Sequence, residues 1–382
     1  MIYLDNAATS WPKPDQVYHE MMAFMRSGCA NPGRSSHILA RSASKGVMKT
    51  RELLSELFHI QNPMDIAFTA NATFALNMAI QGYLSKGDHV VTTAMEHNSV
   101  LRPLYHMKKY DLIDYTIVMP KNPMGEIDPG DIEAAIRPET RLIICTASSN
   151  VTGTIMPYEK IGEMAHERGI AYLVDAAQGA GVLDFDVESM HIDMLAFPGH
   201  KGLLGPQGTG GLYVRPGIPL RPIIFGGTGS RSFETVHPDF MPDMLEGGTV
   251  NTPGVIGLGA GVAWILKKGT VAIKAKKTRL IAHLHARLSG HPGIKLFSSS
   301  DGNTNSGIVA FLVKGFDSSE TGNLLDSQYG IAVRSGFHCA PLAHQALGTM
   351  ETGLVRVSPG FFNTMQDMEY TATAILRIAN NG

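Results

Sequence analysis

The chain has 382 residues, of which 44% are hydrophobic and 17% charged, with a formal net charge of −2 at neutral pH. That length exceeds one small domain, and the apolar content supports large buried cores, which excludes a disordered chain. The near-neutral charge, with no long basic run, argues against a nucleic-acid surface.

The predicted elements follow a clear rhythm. The N-terminus, Met1-Ile2-Tyr3-Leu4-Asp5-Asn6, enters folded-looking sequence at once and shows no signal-peptide pattern. Short β-rich runs are expected at 66–69, 89–93, 116–119, 141–146, 171–174, 194–197 and 211–214. Helical stretches such as 72–81, 129–136 and 158–168 lie between them. This alternation predicts an α/β domain on a mostly parallel seven-stranded sheet. After about Pro253 the pattern changes to two successive helices at 254–268 and 272–288, strands near 308–313, 331–334 and 353–358, and a last helix from 365 to about 378. This reads as a smaller α+β C-terminal domain. The expected division is a large domain over 15–255, with 1–14 and 256–382 forming the small one. No apolar run is long enough to cross a bilayer. The three cysteines, Cys29, Cys145 and Cys339, form neither a disulfide framework nor a CxxC pair. The expectation is a cytoplasmic protein with no membrane or nucleic-acid partner.

In open α/β sheets, ligands bind beyond the carboxyl ends of the strands. Five predicted strands are followed by polar groups: Asn71-Ala72-Thr73, Glu96-His97-Asn98, Ser148-Ser149-Asn150, Asp175-Ala176-Ala177-Gln178 and Gly199-His200-Lys201. Any one of these turns could merely cap a helix; together they mark an active site. The helix start at Asn71–Thr73 offers free N–H groups and a hydroxyl suited to a phosphate. Asp175 suits a protonated ring nitrogen, and Lys201, between Gly199 and Gly202, suits an aldehyde. Phosphate, cationic ring nitrogen and aldehyde together describe pyridoxal 5'-phosphate (PLP).

The segment Pro198-Gly199-His200-Lys201 with Gly205-Pro206-Gln207-Gly208 resembles the lysine motif of the class V aminotransferase family, which has the PLP fold type I. Within that family the chain resembles the cysteine desulfurases and selenocysteine lyases. The likeness also includes Leu4-Asp5-Asn6-Ala7-Ala8-Thr9, 31–37, Ser149-Asn150-Val151-Thr152-Gly153, Glu246-Gly247-Gly248-Thr249, Arg334-Ser335-Gly336-Phe337-His338-Cys339 and Val355-Arg356-Val357-Ser358.

The resemblance implies a role for each residue. Lys201 carries the cofactor covalently and moves protons at the substrate Cα, Asp175 pairs with the ring nitrogen, and Gln178 meets the ring hydroxyl. His97 stacks on the ring, while Thr73 and His200 hold the phosphate. Thr249 reaches the phosphate of the neighbouring subunit's cofactor, so a homodimer is implied. Asn150, counted with both cofactor and substrate contacts, binds the substrate carboxylate together with Arg356, and His37 touches substrate. Two departures bear on the phosphate. Pro198 stands where many relatives have a serine, and Ala72 where they often have a second hydroxyl.

The implied reaction is removal of sulfur from L-cysteine, giving alanine and a persulfide on Cys339 that passes to a sulfur-acceptor protein or a reductant. Nearby positive charge from Arg334 and His338 would favour the attacking thiolate. A loop placement, read from Gly336 and Pro341, would let the sulfur swing. His338, Cys339 and His344 match no common zinc spacing, so no metal is expected. Cys145 reads as core, and the glycines around Leu258 as close helix packing rather than a nucleotide loop. Selenocysteine lyase, cysteine-sulfinate desulfinase and C–S β-lyase chemistry fit the same motifs. A non-enzymatic sulfur-carrier or partner subunit is the rival from another class.

Overall fold

The computed structural model describes residues 1–33 and 36–380; Arg34 and Ser35 of the 31–37 motif lie outside the described residues. The first part of the chain contains β1 (Ile2–Tyr3), α1 (Asp15–Arg26), α2 (Ile38–Phe58), β2 (Ile66–Thr69), α3 (Ala72–Tyr83), β3 (Asp88–Thr93), α4 (Asn98–Lys109) and β4 (Ile113–Val118). Next come α5 (Pro129–Ala134), β5 (Thr140–Thr146), α6 (Tyr158–Glu167), β6 (Ala171–Asp175), β7 (Met194–Pro198) and β8 (Gly210–Val214). The last part holds α7 (Thr252–Lys268), α8 (Thr270–Leu288), β9 (Ile294–Leu296), β10 (Val309–Val313) and α9 (Ser318–Tyr329). It ends with β11 (Ile331–Ala332), β12 (Arg334–Gly336), α10 (Pro341–Leu347), β13 (Leu354–Val357) and α11 (Met365–Ala379).

A seven-stranded sheet in the order β2-β8-β7-β6-β5-β3-β4 forms the centre. Strands β7, β6, β5, β3 and β4 run parallel, and β8 is antiparallel to both its neighbours. Parallel sheets are covered on both faces, and these strands are accordingly apolar almost throughout. In β5 the pleat sends Ile143 and Cys145 into one core, and Leu142 and Ile144 into the other.

The C-terminal part carries a four-stranded antiparallel sheet, β12-β13-β10-β9. Its core includes Leu280 and Leu284 of α8, Phe311, Val355 and Ile375 of α11, with Leu4 from the N-terminus. The expected strand at 331–334 divides between two sheets: β11 pairs in parallel with β1, and β12 pairs antiparallel with β13.

One expectation is corrected. The limit drawn at 255/256 falls inside α7, whose Val255, Leu258, Val262 and Ile265 belong to the core of the large sheet. The glycines of α7 explain this placement. A Cβ on Gly259 would stand 2.4 Å from Thr50 Oγ1 of α2, and one on Gly261 would stand 2.5 Å from the Leu203 carbonyl oxygen. Their absence of side chain brings α7 onto α2 and onto the turn that carries Lys201. The chain leaves this body at Gly269, where α7 and α8 meet at 82°. Among the described residues, no single helix is long and apolar enough to cross a membrane.

The irregular segment after β8 is tied down by one buried ion pair. Arg51 of α2, 4% exposed, places Nη2 2.6 Å from both carboxylate oxygens of Glu246. The Phe68 N–H donates to Glu246 Oε1 at 2.6 Å. Removing one partner leaves the other as an uncompensated buried charge. Glu246→Ala is therefore expected to cost about 3–5 kcal/mol in urea unfolding. The double replacement Arg51→Met with Glu246→Leu should recover most of that loss.

Candidate active site

The carboxyl ends of β3, β5, β6 and β7 open on one cleft of about 220 Å³. It is lined by Thr73, His97, Asn150, Asp175, Gln178, His200 and Lys201 from the large sheet's loops. Arg334, His338, Cys339 and Arg356 close it from the C-terminal sheet. Nine of the residues expected to act at the site thus meet in one place.

Asp175 ends β6 and is 2% exposed. Its Oδ1 accepts the Ala177 N–H at 2.9 Å. Burial raises its pKa, while that N–H and the Lys201 cation oppose the shift. Lys201 follows β7 by three residues. Among the described residues its Nζ has no hydrogen-bond or ion-pair partner, and burial pulls it down to about 8 against the pull of Asp175. An amine at that value has a large neutral fraction at mildly alkaline pH, as a nucleophile requires.

His97 caps α4, its Nδ1 accepting the Ser99 N–H at 3.1 Å. Burial and the Lys201 cation lower it to about 4, so the ring is neutral. His200 is also lowered to about 4, mainly by burial, and its Nδ1 is buried without a partner. Gln178 donates Nε2–H to the Ala7 carbonyl at 3.0 Å.

Arg356 on β13 is 1% exposed. Its Nη2 meets Asp5 Oδ1 at 2.9 Å, its Nη1 donates to the Asn150 carbonyl at 2.7 Å, and its Nε has no partner. The Asn150 side chain donates to the His338 carbonyl at 2.6 Å.

Cys339 is exposed, in the short connection between β12 and α10. Arg334 Nη2 lies 3.9 Å from its Sγ, the positive neighbour that favours a thiolate. His338 does not share that role. It packs against His344, Nδ1 to Nε2 at 3.4 Å, and burial pulls it down to about 2, so it stays neutral. The turn that carries the sulfur is tied to its neighbours. The Cys339 carbonyl accepts the Asn98 N–H at 2.8 Å, and the Asn150 bond holds the peptide before it. His338 and Cys339 both sit at positive φ, 51° and 57°, in a tightly specified turn.

The family profile described as aminotransferase class-V matches residues 2–371. A probable cysteine desulfurase of Methanothermobacter thermautotrophicus is 35% identical, covering 100% of this chain and 95% of its own. A cysteine desulfurase of Yersinia pseudotuberculosis is 32% identical, covering 99% and 93%. Among solved structures, the apo cysteine desulfurase of Thermococcus onnurineus superposes with TM-score 0.92 at 30% identity, covering 100% of this chain and 95% of the other. The Escherichia coli cysteine desulfurase CsdA gives 0.89 at 29%, covering 99% and 94%.

The chain belongs to the class-V aminotransferase family.

That family is PLP-dependent, and the cleft of this class-V member fits the group. A buried carboxylate, an unpartnered amine, the orphaned His200 Nδ1 and the free first-turn N–H groups of Ala72 and Thr73 all border it. Where Ala72 brings no hydroxyl, another helix places one nearby. Ser99 Oγ stands 2.7 Å from Thr73 Oγ1 and lines the same cleft. Sequence reading missed Ser99, although its place two residues after His97 was a usable signal. It also missed Asp5 as the partner of Arg356.

Two expected residues do not line the cleft of their own chain. His37 is exposed and caps α2, its Nδ1 accepting the Ala40 N–H at 3.2 Å. Thr249 is exposed on the loop after Glu246, beside Phe74 and Asn251.

A further carboxyl lies beneath the site. Glu96 is fully buried; its Oε1 accepts from Thr93 Oγ1 at 2.7 Å and from the Thr146 N–H at 3.0 Å, and its Oε2 has no partner. Burial raises it from 4.5 to about 8. Unfolding frees it to ionise at its ordinary value, so between those pH values the native state binds the extra proton. Its contribution to stability is complete below about pH 4.5 and is lost as pH rises toward 8. Glu96→Gln, which keeps the shape without the proton, is expected to melt less steeply with pH across that window. Thermal melts of both proteins from pH 4.5 to 8.5 check this.

Proposed function

We propose that this chain is a PLP-dependent cysteine desulfurase that converts L-cysteine to L-alanine and leaves the sulfur as a persulfide on Cys339. The carrying observation is an exposed thiol, 3.9 Å from an arginine, in the same cleft as a lysine amine and a buried aspartate at adjacent strand ends. A desulfurase needs both halves: a group that activates the substrate Cα and a nucleophile that takes its sulfur.

Bound PLP supplies a covalent link to the substrate amine and an electron sink for the charge left when the Cα proton departs. Lys201 holds the cofactor aldehyde and later carries the Cα proton. Asp175, whose burial raises its pKa against the opposing pull of the Ala177 N–H and the Lys201 cation, faces the ring N–H. The neutral His97 ring covers the cofactor face, and Gln178 reaches its hydroxyl. Thr73, Ser99, His200 and the first-turn N–H groups of α3 hold the phosphate. Arg356, oriented by Asp5, and Asn150 receive the substrate carboxylate.

The Cys339 thiolate attacks the substrate sulfur. An Sγ–S bond forms as the substrate Cβ–S bond breaks, Cβ takes a proton, and alanine leaves. Arg334 stabilises the thiolate before attack and the persulfide anion after it. The sulfur then passes to an acceptor protein or a thiol.

We infer a cytoplasmic homodimer. Thr249 and His37 are exposed and outside their own cleft, which supports a contribution to the partner's site.

Purified protein given PLP, L-cysteine and dithiothreitol, which reduces the persulfide, is expected to release alanine and sulfide, with no pyruvate. Cys339→Ala should lose alanine formation by at least about a hundredfold while retaining the cofactor's visible absorbance. Unchanged alanine production by that variant would remove Cys339 from the mechanism. Lys201→Ala should lose the cofactor on gel filtration.

A further inference from the structure

Helices α3 and α4 begin side by side. Thr73 is the second residue of α3 and Ser99 the second of α4, and their hydroxyl oxygens meet at 2.7 Å. His97, the residue before α4, turns its ring back over the same turn. Its Nδ1 lies 3.1 Å from the Ser99 backbone nitrogen and 2.9 Å from Ser99 Oγ. All three side chains line the cleft that holds Lys201. Asn98, between His97 and Ser99, donates its N–H to the Cys339 carbonyl at 2.8 Å, so this helix start also meets the turn that carries the sulfur.

One fixed donor sets the direction of every proton in this group. A peptide N–H only donates, so His97 Nδ1 is the acceptor of the Ser99 N–H and carries no proton of its own. The ring's proton therefore sits on Nε2. Ser99 Oγ faces the same Nδ1. Two lone pairs at 2.9 Å repel, so the Ser99 hydroxyl proton lies between them. A hydroxyl has a single proton, which leaves Ser99 none for Thr73; the 2.7 Å contact is made by the Thr73 proton. The chain runs one way, from Thr73 O–H to Ser99 Oγ and from Ser99 O–H to His97 Nδ1. A half-turn of the imidazole would put carbon in the place of Nδ1 and lose both Ser99 bonds at once, where the backbone cap alone would lose one.

We propose that Ser99 is a positioning residue for His97: its hydroxyl, itself oriented by Thr73, locks the imidazole in one rotamer and as the Nε2–H tautomer. The effect on turnover rests on the desulfurase reading, in which the neutral ring covers the cofactor; the proton chain itself does not.

The test reads the ring directly. Nitrogen NMR of the full chain with isotope-labelled histidine, recorded without added cofactor, assigns His97 by the signals lost in His97→Gln. The wild type should show a protonated Nε2 and a bare Nδ1. In Ser99→Ala the Nδ1 signal should move downfield, as an acceptor nitrogen does on losing a donor, and Ser99→Thr should restore it. In the enzyme loaded with PLP, Ser99→Ala should lower kcat for alanine formation about fivefold with KM for L-cysteine unchanged, and Ser99→Thr should recover it. A proton on Nδ1 in the wild type, an Nδ1 signal that Ser99→Ala leaves in place, or an unchanged kcat would overturn the proposal. If the wild type forms no alanine, the desulfurase reading fails and the spectra alone decide the proton chain. If Ser99→Ala does not fold, Ser99→Cys, whose thiol is a weaker donor, takes its place and should move the Nδ1 signal the same way.

Discussion

Desolvation at the end of a doubly covered parallel sheet governs this structure. Strands β5, β6 and β7 are buried at almost every position, so the polar groups that follow them emerge into a place where water is scarce. Five titratable groups there answer to burial in the same way. Lys201, His97 and His200 are pulled down; Asp175 and Glu96 are pushed up. The cleft therefore holds a lysine close to losing its proton, two neutral imidazoles and a neutral acid beneath the floor. Within the floor, Asp175 is the carboxylate placed opposite the Lys201 charge. The reactivity attributed to Lys201 and the base-pairing attributed to Asp175 follow from where the strands end.

Much of this was legible because parallel strands impose a simple rule. A continuous apolar run such as Leu142-Ile143-Ile144-Cys145 announces a strand buried on both faces, and whatever polar residue follows it must sit at the open edge. Asp175, Asn150 and Lys201 were found that way. The two faces of β5 also show why Cys145 carries no chemistry: it lies in the core, and burial raises its thiol well above its usual value.

What escaped the sequence depended on contacts between distant segments. The Ser99 hydroxyl comes within 2.7 Å of Thr73 Oγ1 only because α3 and α4 start side by side. His338 reads as a cation beside Cys339, yet it is neutral because its ring stacks on His344 in a buried place, 9° from parallel. The boundary at 255 failed for a related reason. The apolar pattern of α7 is that of a core helix, and periodicity alone does not say which core; the glycine contacts with Thr50 and Leu203 decide it.

The N-terminal segment shows how the two bodies become one site. β1 adds a parallel strand beside β11, which places Leu4 in the C-terminal core and Asp5 against Arg356. A few residues later the same segment grips the lysine turn: the His200 carbonyl accepts from the Ser10 N–H at 3.0 Å, Ser10 Oγ at 3.1 Å, Thr9 Oγ1 at 3.2 Å and Lys13 Nζ at 3.3 Å. One carbonyl has two lone pairs, so these donors share it, and the peptide that precedes Lys201 is held from several directions. Residues 4–13 thus orient the guanidinium expected to receive the substrate and the amine expected to carry the cofactor. They do so from opposite ends of one short stretch of chain. A displacement of either body moves that stretch, and with it the separation between Arg356 and Lys201. Correct placement of the cleft's two halves is therefore a property of their shared anchor, not of either sheet alone.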